Sequence, residues 1–362
     1  MKFTKIQSVA RLNINKIAIE DICPTITPRP ETESRPFWSV MIPTCDRVDY
    51  FKRTLKTVLE QDIPPEQMQI EVIDNGSTQV DVAQIVKEIA GDRVSVYRQP
   101  QKVPIADNWN TCIERAKGHW IHILHDDDLV LPGFYTAYQE IIQTTDSVMI
   151  VGQSIIMDEY ENWYNISSYL ENENNYVKNA QQVLSSMSIL LCPAVVVSRN
   201  IYEQVGGFNT QLIHALDWEM WTRIAASGKV GWVKKPYCLY RIHSQSGTNK
   251  NAVQGINVKD FCRALNLVLS RFTDENKKQE VKKSIYFYLG KASESYSRSL
   301  LLQRQYHYAI IHAIFMLKFL PKTVETLFSF LLLLKMLFAA LIKSGIKGVA
   351  QQDLEANTDM TK

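Results

Sequence analysis

This chain of 362 residues has no C-x-x-C pair, no glycine-rich phosphate loop and no unbroken apolar run long enough to span a membrane. Each absence removes a class of protein. Its six cysteines, Cys23, Cys45, Cys112, Cys192, Cys238 and Cys262, are scattered singly. They read as reduced, mostly buried thiols of an intracellular protein, not as a zinc site or a disulfide frame. Neither G-x-G-x-x-G nor G-x-x-x-x-G-K occurs, so backbone glycines do not cradle a phosphate here. A net charge of +2 makes no global demand for nucleic acid as a partner. Lys2 and Lys5 precede no uninterrupted apolar stretch, so no secretory leader is expected and the chain reads as cytoplasmic. There is no internal repeat. What remains is ordinary globular composition, 46% hydrophobic and 22% charged, enough for one large domain or two smaller ones.

The pattern along the chain sets the fold class. Residues 1–36 read as an N-terminal extension, kept extended or mobile in its second half by Pro24, Pro28, Pro30 and Pro36. Strands are expected at 38–42, 70–73, 94–97 and 120–124, each a short apolar, β-branched run. Helical stripes fall between them: Phe51, Leu55, Val58 and Leu59, then Val82, Ile85, Val86 and Ile89, then Ile105, Trp109, Cys112 and Ile113. This alternation argues an α/β domain with a mostly parallel sheet flanked by helices. After 145 the pattern loosens. Strands are expected at 148–151, 194–197, 231–233 and 237–240, a polar loop at 158–180, and a helix from Asp217 to Ala226. From 257 onward the chain reads as helical.

The polar residues gather at the strand ends. Asp126-Asp127-Asp128 follows the fourth strand, with His125 before it and Pro132 after, where the proline closes the turn and is expected to open a helix. Three adjacent carboxylates repel one another, and a cation relieves that best. Oxygen ligands of this kind suit Mg²⁺ or Mn²⁺, which commonly bridge to phosphates. Pro43-Thr44-Cys45-Asp46 follows strand one and Asp74-Asn75-Gly76-Ser77 follows strand two. In a parallel sheet these loops meet at one edge, where open α/β sheets bind ligands.

Val40-Met41-Ile42-Pro43-Thr44, Val72-Ile73-Asp74-Asn75-Gly76-Ser77-Thr78, Asn108-Trp109-Asn110, Leu124-His125-Asp126-Asp127-Asp128, Gly206-Gly207-Phe208 and Asp217-Trp218-Glu219-Met220-Trp221 stand in this order. Order and spacing resemble the family 2 inverting glycosyltransferases over residues 37–245. The resemblance implies a GT-A fold, with a Rossmann-like mixed sheet, and a nucleotide-diphosphate sugar donor, with a UDP-sugar expected. It makes Pro43, Thr44, Asp46, Asp74 and Asp126 nucleotide contacts. Asp127 is implied as the metal ligand, with Asp126 and His243 as further ligands to Mn²⁺ or Mg²⁺. Arg241 and His243 are implied at the diphosphate and Asp217 as the base that deprotonates an acceptor hydroxyl. The chain departs from the family in two places. His125 stands where many relatives have an acid, and Leu216 where they often have Glu. Bland roles stand beside these: a turn residue for Asp74, a helix cap for Asp217, a surface arginine and a loop histidine for Arg241 and His243.

The resulting organisation is an extension at 1–36, a glycosyltransferase domain at 37–250, a helical region at 251–350 and a tail at 351–362. Within the helical region, 308–347 is strongly apolar, but Lys335 interrupts it and the run from Thr326 to Ile342 falls short of the about 20 residues a spanning helix needs. Flanking lysines suit peripheral contact with the inner face of the cell membrane, and a buried helical hairpin is the alternative. The acceptor expected is a glycan or a lipid-linked acceptor. Two rival functions are a nucleotidyltransferase, which would carry a glycine-rich basic loop where Pro43-Thr44-Cys45-Asp46-Arg47 stands, and a non-catalytic sugar-nucleotide or glycan-binding scaffold.

Overall fold

The structure is a computed structural model, and it describes residues 23–30, 34–244 and 246–338. The chain divides into two units. One holds the sheet: it runs to Ser246 and takes up Asp260–Val281 again further on. The other comprises Gly247–Lys259 and the chain from Lys282 on. The sheet-bearing unit thus reaches past residue 250, the boundary expected from the sequence.

In the first unit the elements are β1 (Trp38–Thr44), α1 (Asp49–Leu59), β2 (Met68–Asp74), α2 (Val82–Ala90), β3 (Ser95–Arg98), α3 (Ile105–Arg115), β4 (Trp120–Ile123), β5 (Leu129–Val130), α4 (Phe134–Thr144), β6 (Met149–Met157), β7 (Trp163–Ile166), β8 (Asn175–Tyr176), α5 (Ala180–Ser186), β9 (Val195–Ser198), α6 (Arg199–Val205), α7 (Leu216–Ser227) and β10 (Val230–Arg241). The strand order is β3-β2-β1-β4-β9-β6-β10-β5, with β7 beside β6 and β8 beside β10. The strands β3, β2, β1 and β4 are all parallel, joined through helices. Beyond β4, only β6 and β10 pair in parallel, and the other five pairings are antiparallel. Parallel character is therefore confined to the half with βα crossovers, since a parallel neighbour needs a long return connection and an antiparallel one does not.

Central strands buried on both faces read as continuous apolar runs. Every residue of β1 is buried, and Trp38, Val40 and Ile42 join Phe51, Leu55 and Val58 of α1 in the main core. His122 sits inside β4, where its two ring nitrogens face the Tyr135 hydroxyl at 3.0 Å and the Pro193 carbonyl at 3.2 Å. Burial pushes its pKa down to about 3, so it is a neutral core residue.

Three local expectations need correction. The polar loop at 158–180 contains β7 and β8, which add to the edges of β6 and β10. Both are short and sit in an Asn-, Glu- and Tyr-rich stretch, and β7 is exposed along its whole length, so no inward-outward alternation marks it. The two short strands expected near 231–233 and 237–240 are one strand, β10, whose register against β6 shifts between Val233 and Cys238. Exposed Lys234 and Lys235 at that bulge interrupt the apolar pattern. Pro132 does not open a helix directly; Gly133, at φ +84°, intervenes before α4.

The described part of the N-terminal extension, 23–30, is extended, and side chains of this unit hold it. Ile26 is buried. The Thr27 amide donates to Glu114 at 3.0 Å, and Arg199 donates to the Thr27 carbonyl at 2.9 Å and to the carbonyls of Ile113 and Ala116, each at 2.7 Å. Prolines leave an extended strand without its own ladder, and here Glu114 as acceptor and Arg199 as donor satisfy the Thr27 backbone.

The second unit is helical. It contains α8 (Gly247–Val253), the start of α9 (Ile256–Ser270), most of α10 (Glu275–Leu302), α11 (Tyr306–Phe319) and a last helix, α12, which runs over 324–338. Leu300, Leu301, Ala309, Met316, Leu320 and Leu333 form its core. His312 Nε2 donates to the Ala252 carbonyl at 2.9 Å, and Ser297 donates to the Ala309 carbonyl at 2.8 Å. No helix among the described residues is long and apolar enough to cross a membrane. Residues 339–347 of the apolar segment lie outside the described residues.

Candidate active site

The C-terminal ends of β1, β2 and β4 carry the three polar loops, and the parallel register brings them side by side: Thr44 of β1 lies opposite Asp74 of β2. Thr44 Oγ1 donates to Asp126 Oδ2 at 2.6 Å, tying the first loop to the acidic one. Asp46 adopts a left-handed backbone at φ +52°. Its carboxylate accepts the amides of Thr78 at 2.7 Å and Gln79 at 2.8 Å, so it staples the first loop to the second and its pKa is lowered, chiefly by the Gln79 bond. Gly76 is required in that second loop: its φ is +69° and a Cβ would lie 2.9 Å from the Lys102 nitrogen.

Asp74 is buried and already engaged. It accepts the Ser77 amide at 2.9 Å and Arg98 Nη1 at 3.2 Å. The turn-holding role is thus present in the structure, with Arg98 facing the same carboxylate.

The acidic triplet divides three ways. Arg47 Nη1 bridges Asp126 Oδ1, at 2.8 Å, and Asp127 Oδ2. His243 Nε2 lies 3.0 Å from that same Asp127 oxygen. Asp128 turns inward: fully buried, it accepts the Arg241 amide at 2.9 Å and pins the end of β10 to the loop. Burial acts on all three carboxyls, and the cations decide the outcome. Burial raises the Asp126 pKa to about 6 despite Arg47, whereas for Asp127 the His243 bond and the Arg47 and His125 charges outweigh burial and bring it to about 2. Asp128 is pushed up by burial and by Asp127. Asp127 is the carboxylate of the three best held in its charged form.

Arg241 is only 2% exposed. Its guanidinium lies over the Tyr50 ring at 4.4 Å, donates to the Asp127 carbonyl at 2.9 Å and pairs with Glu161 at 3.0 Å, while Nη1 has no partner. It is not a surface arginine. His125 stacks near Trp109, with ring centroids 4.8 Å apart, and Trp109 packs edge-on to Phe208 at 5.1 Å. Asn110 then clamps the Phe208 backbone, accepting its amide at 2.7 Å and donating to its carbonyl at 3.0 Å. This clamp gives Asn108-Trp109-Asn110 and Gly206-Gly207-Phe208 one shared purpose: they set the wall behind His125.

Asp217 opens α7 and is half-buried. Its Oδ1 accepts the Trp218 amide at 2.7 Å, and Oδ2 lies 3.8 Å from the Cys192 thiol. Burial is the main cause that lifts its pKa to about 6. The Cys192 thiol, itself pushed up mainly by burial, also feels Asp217, Asp128 and Asp127, so Asp217 and the triplet share one face of the unit. Asp260 fixes the turn in front of Asp217: one oxygen accepts the amides of Ile213, His214 and Ala215 at 2.8–2.9 Å. Behind it, Glu219, where the family pattern continues, is fully buried and paired with Arg223 at 2.8 Å and with Arg271.

The structure therefore gathers Thr44, Asp46, Asp74, Asp126, Asp127, Arg241 and His243 in one cluster, with Asp217 on the same face. Pro43 sits within β1, paired with Ile73. Sequence reading missed Arg47, Tyr50, Cys192 and Asp260. Arg47 was findable, since it follows Asp46 in the first loop and a lone cation beside three carboxylates has an obvious partner. Asp260 was not, because nothing local marks a carboxylate that caps a turn 45 residues upstream.

Carboxylates and imidazoles of this kind suit a divalent cation: Arg47 Nη1 fills the space between Asp126 and Asp127, and His243 reaches Asp127. Among the described residues, the grouping whose ligand atoms all lie within 4.8 Å of one another is His125, Asp127 and Asp128, and its His125 Nε2 and Asp128 Oδ2 are buried without a hydrogen bond. Two cavities elsewhere in this unit, about 440 Å³ beside Tyr176 and Lys229 and about 330 Å³ beside Glu71 and Arg115, contain none of these groups.

Residues 39–206 match the family described as Glycosyl transferase family 2. A similar chain is an uncharacterized protein, MT1568, of Mycobacterium tuberculosis, 23% identical over 245 residues, covering 64% of this chain and 75% of that one. Among solved structures, S. aureus TarS 1-349 in complex with UDP-GlcNAc is similar with a TM-score of 0.56 at 14% identity, over 76% of this chain and 87% of that one. The same protein in complex with UDP gives 0.55 over the same shares. These likenesses establish the GT-A fold that the motifs imply.

Proposed function

The chain is a family 2 glycosyltransferase of GT-A fold, and we propose that it moves a sugar from a UDP-sugar to an acceptor hydroxyl with inversion, by single displacement. The observation that carries this reading is the pairing of Asp127, held ionised by His243 and Arg47, with a carboxylate on the same face, Asp217, whose pKa near 6 suits a base at neutral pH. The TarS structures bound to UDP-GlcNAc and UDP support a uridine donor.

Asp126, Asp127 and His243 are the residues that would hold Mn²⁺ or Mg²⁺. Bound there, the cation would neutralise charge on the departing diphosphate. The chain's own residues do the rest. Thr44, Asp46 and Asp74 shape the nucleotide side, with Arg98 and Ser77 fixing Asp74. Arg241 and Arg47 supply positive charge at the diphosphate side, and the unpartnered Arg241 Nη1 is the donor free to take a phosphate oxygen. Asp217 accepts the proton of the attacking hydroxyl as its oxygen closes on the anomeric carbon and the carbon–diphosphate bond breaks. Asp260 keeps that carboxylate in place.

The acceptor class that fits peripheral contact with the inner face of the cell membrane is a glycan or a lipid-linked acceptor. The test is UDP release from a screen of UDP-sugars with Mn²⁺. Asp127→Ala and Asp217→Asn should each abolish turnover, with the Asp217 variant still binding UDP. Turnover surviving in both defeats the assignment of these residues, and UDP binding by the wild type without turnover of any UDP-sugar favours a non-catalytic scaffold.

A further inference from the structure

Helix α12 is apolar on both sides: Phe330, Leu333, Met336 and Leu337 pack into the core of its unit. Thr326, Ser329 and Leu333 face inward, while Val324, Leu327, Phe328, Leu331, Leu334 and Phe338 are exposed, Phe328 by 67% and Phe338 by 71%. Those positions fall three or four apart, or adjacent, on one side of the helix. The inward polarity has a cause. Ser329 hydrogen-bonds Glu294, a mostly buried carboxylate that also binds Lys291 at 3.1 Å and Arg298 at 2.9 Å. That bond, with the inward packing of Phe330, Leu333, Met336 and Leu337, fixes which side of the helix is buried and leaves a second apolar side outward. At about 1.5 Å per residue the exposed stripe is roughly 20 Å long.

Charge says what covers it. From Arg304 to Phe338 there is one acid, Glu325, against Arg304, Lys318, Lys322 and Lys335. Lys322 is exposed just before the stripe and Lys335 is exposed within it, beside Leu334. An apolar stripe set among lysines is the pattern of a helix lying in the plane of an anionic bilayer, its aromatic and leucine side chains among the acyl chains and its lysines at the headgroups. We propose that the outer face of α12 is an anionic-lipid docking surface, entered by Leu327, Phe328, Leu331 and Phe338. This deepens the peripheral contact proposed above and does not depend on the sugar chemistry.

The test is flotation of the full chain with vesicles of phosphatidylcholine alone or mixed with phosphatidylglycerol. Phe328→Ser/Leu331→Gln and Lys322→Glu/Lys335→Glu are run beside it. All four side chains are exposed or half-exposed, so folding, checked by circular dichroism, should hold. The wild type should float with the anionic vesicles and less so in high salt. The apolar double variant should lose about tenfold or more in partitioning for each side chain removed, and the lysine variant should lose its preference for phosphatidylglycerol. A wild type that ignores both vesicles overturns the proposal. So does a dimer that the apolar variant converts to a monomer without any lipid binding, which would assign the stripe to a second copy of the chain. UDP release measured on the same preparations separates the two readings: lost flotation with unchanged turnover on a soluble acceptor concerns this surface alone.

Discussion

Asp217→Asn should stop transfer and yet make the protein more stable above neutral pH. The carboxyl is lifted from an ordinary 3.8 to about 6, mainly by burial, so the folded state binds its proton more tightly than the unfolded state does. The sign follows. Below about pH 4 both states are protonated and the residue costs nothing; above about pH 7 both are ionised and the folded state bears the full cost. That cost is at most about 3 kcal/mol, an upper bound because the side chain keeps some contact with solvent. Asparagine has a similar shape and its carbonyl can still accept the Trp218 amide, so the substitution removes the charge with little else. Urea unfolding followed by tryptophan fluorescence should show a higher midpoint for the variant at pH 8, about half the free-energy gain near pH 5, and none below about pH 4. In the wild type, turnover at saturating donor should rise with pH through about 6 as the base loses its proton. A variant equally stable or less stable at every pH would refute the claim that a buried charge is stored at this position. A variant that still transfers sugar would refute its role as the base.

Four more outcomes follow. Arg47→Gln should bind Mn²⁺ about tenfold more tightly by titration calorimetry in the absence of nucleotide, because Arg47 competes for the two carboxylates; weaker or unchanged binding would show that it does not compete. Asn110→Ala should cost about 2 kcal/mol in chemical unfolding, since it strips both hydrogen bonds from the buried Phe208 backbone. Asp260→Ala should lower kcat more than the affinity for UDP, by freeing the turn that sets Asp217; equal losses in both would point to general unfolding. His122 has its pKa depressed to about 3, so the unfolded state takes up its proton first and stability should fall as pH drops from about 6.5 toward 3; His122→Gln should flatten that part of the acid-unfolding curve.

Much of this molecule was readable in advance, and what was not has specific physical reasons. The strands β1, β2 and β4 announce themselves because both of their faces are largely buried and short runs of Val, Ile, Met and Trp dominate them. Their terminal loops are legible because parallel strands put all C-terminal ends on one edge. The strand β7 was hidden because its exposure removes the alternating pattern that marks a half-buried strand. The long β10 reads as two strands because its bulge exposes two lysines. The clustering of Thr44, Asp126, Asp127 and His243 could be anticipated from motif order, but Arg241 could not be placed: its burial depends on Tyr50 and Glu161, which lie far apart in sequence. Asp260 belongs to the same class, a long-range cap with no local signature. The orientation of α12 was likewise invisible, since it follows from Glu294, a carboxylate on another helix.

The return of Asp260–Val281 to the sheet-bearing unit has a consequence for how this protein can be divided. A fragment ended at residue 250 keeps every motif by which the family is recognised, yet it lacks the carboxylate that holds the three amides before Asp217 and the Arg271 partner of buried Glu219. Such a fragment would carry a complete signature around a loosened Asp217. Sequence modularity and mechanical integrity therefore part company here: the shortest stretch that looks like the enzyme is shorter than the stretch that can work as one.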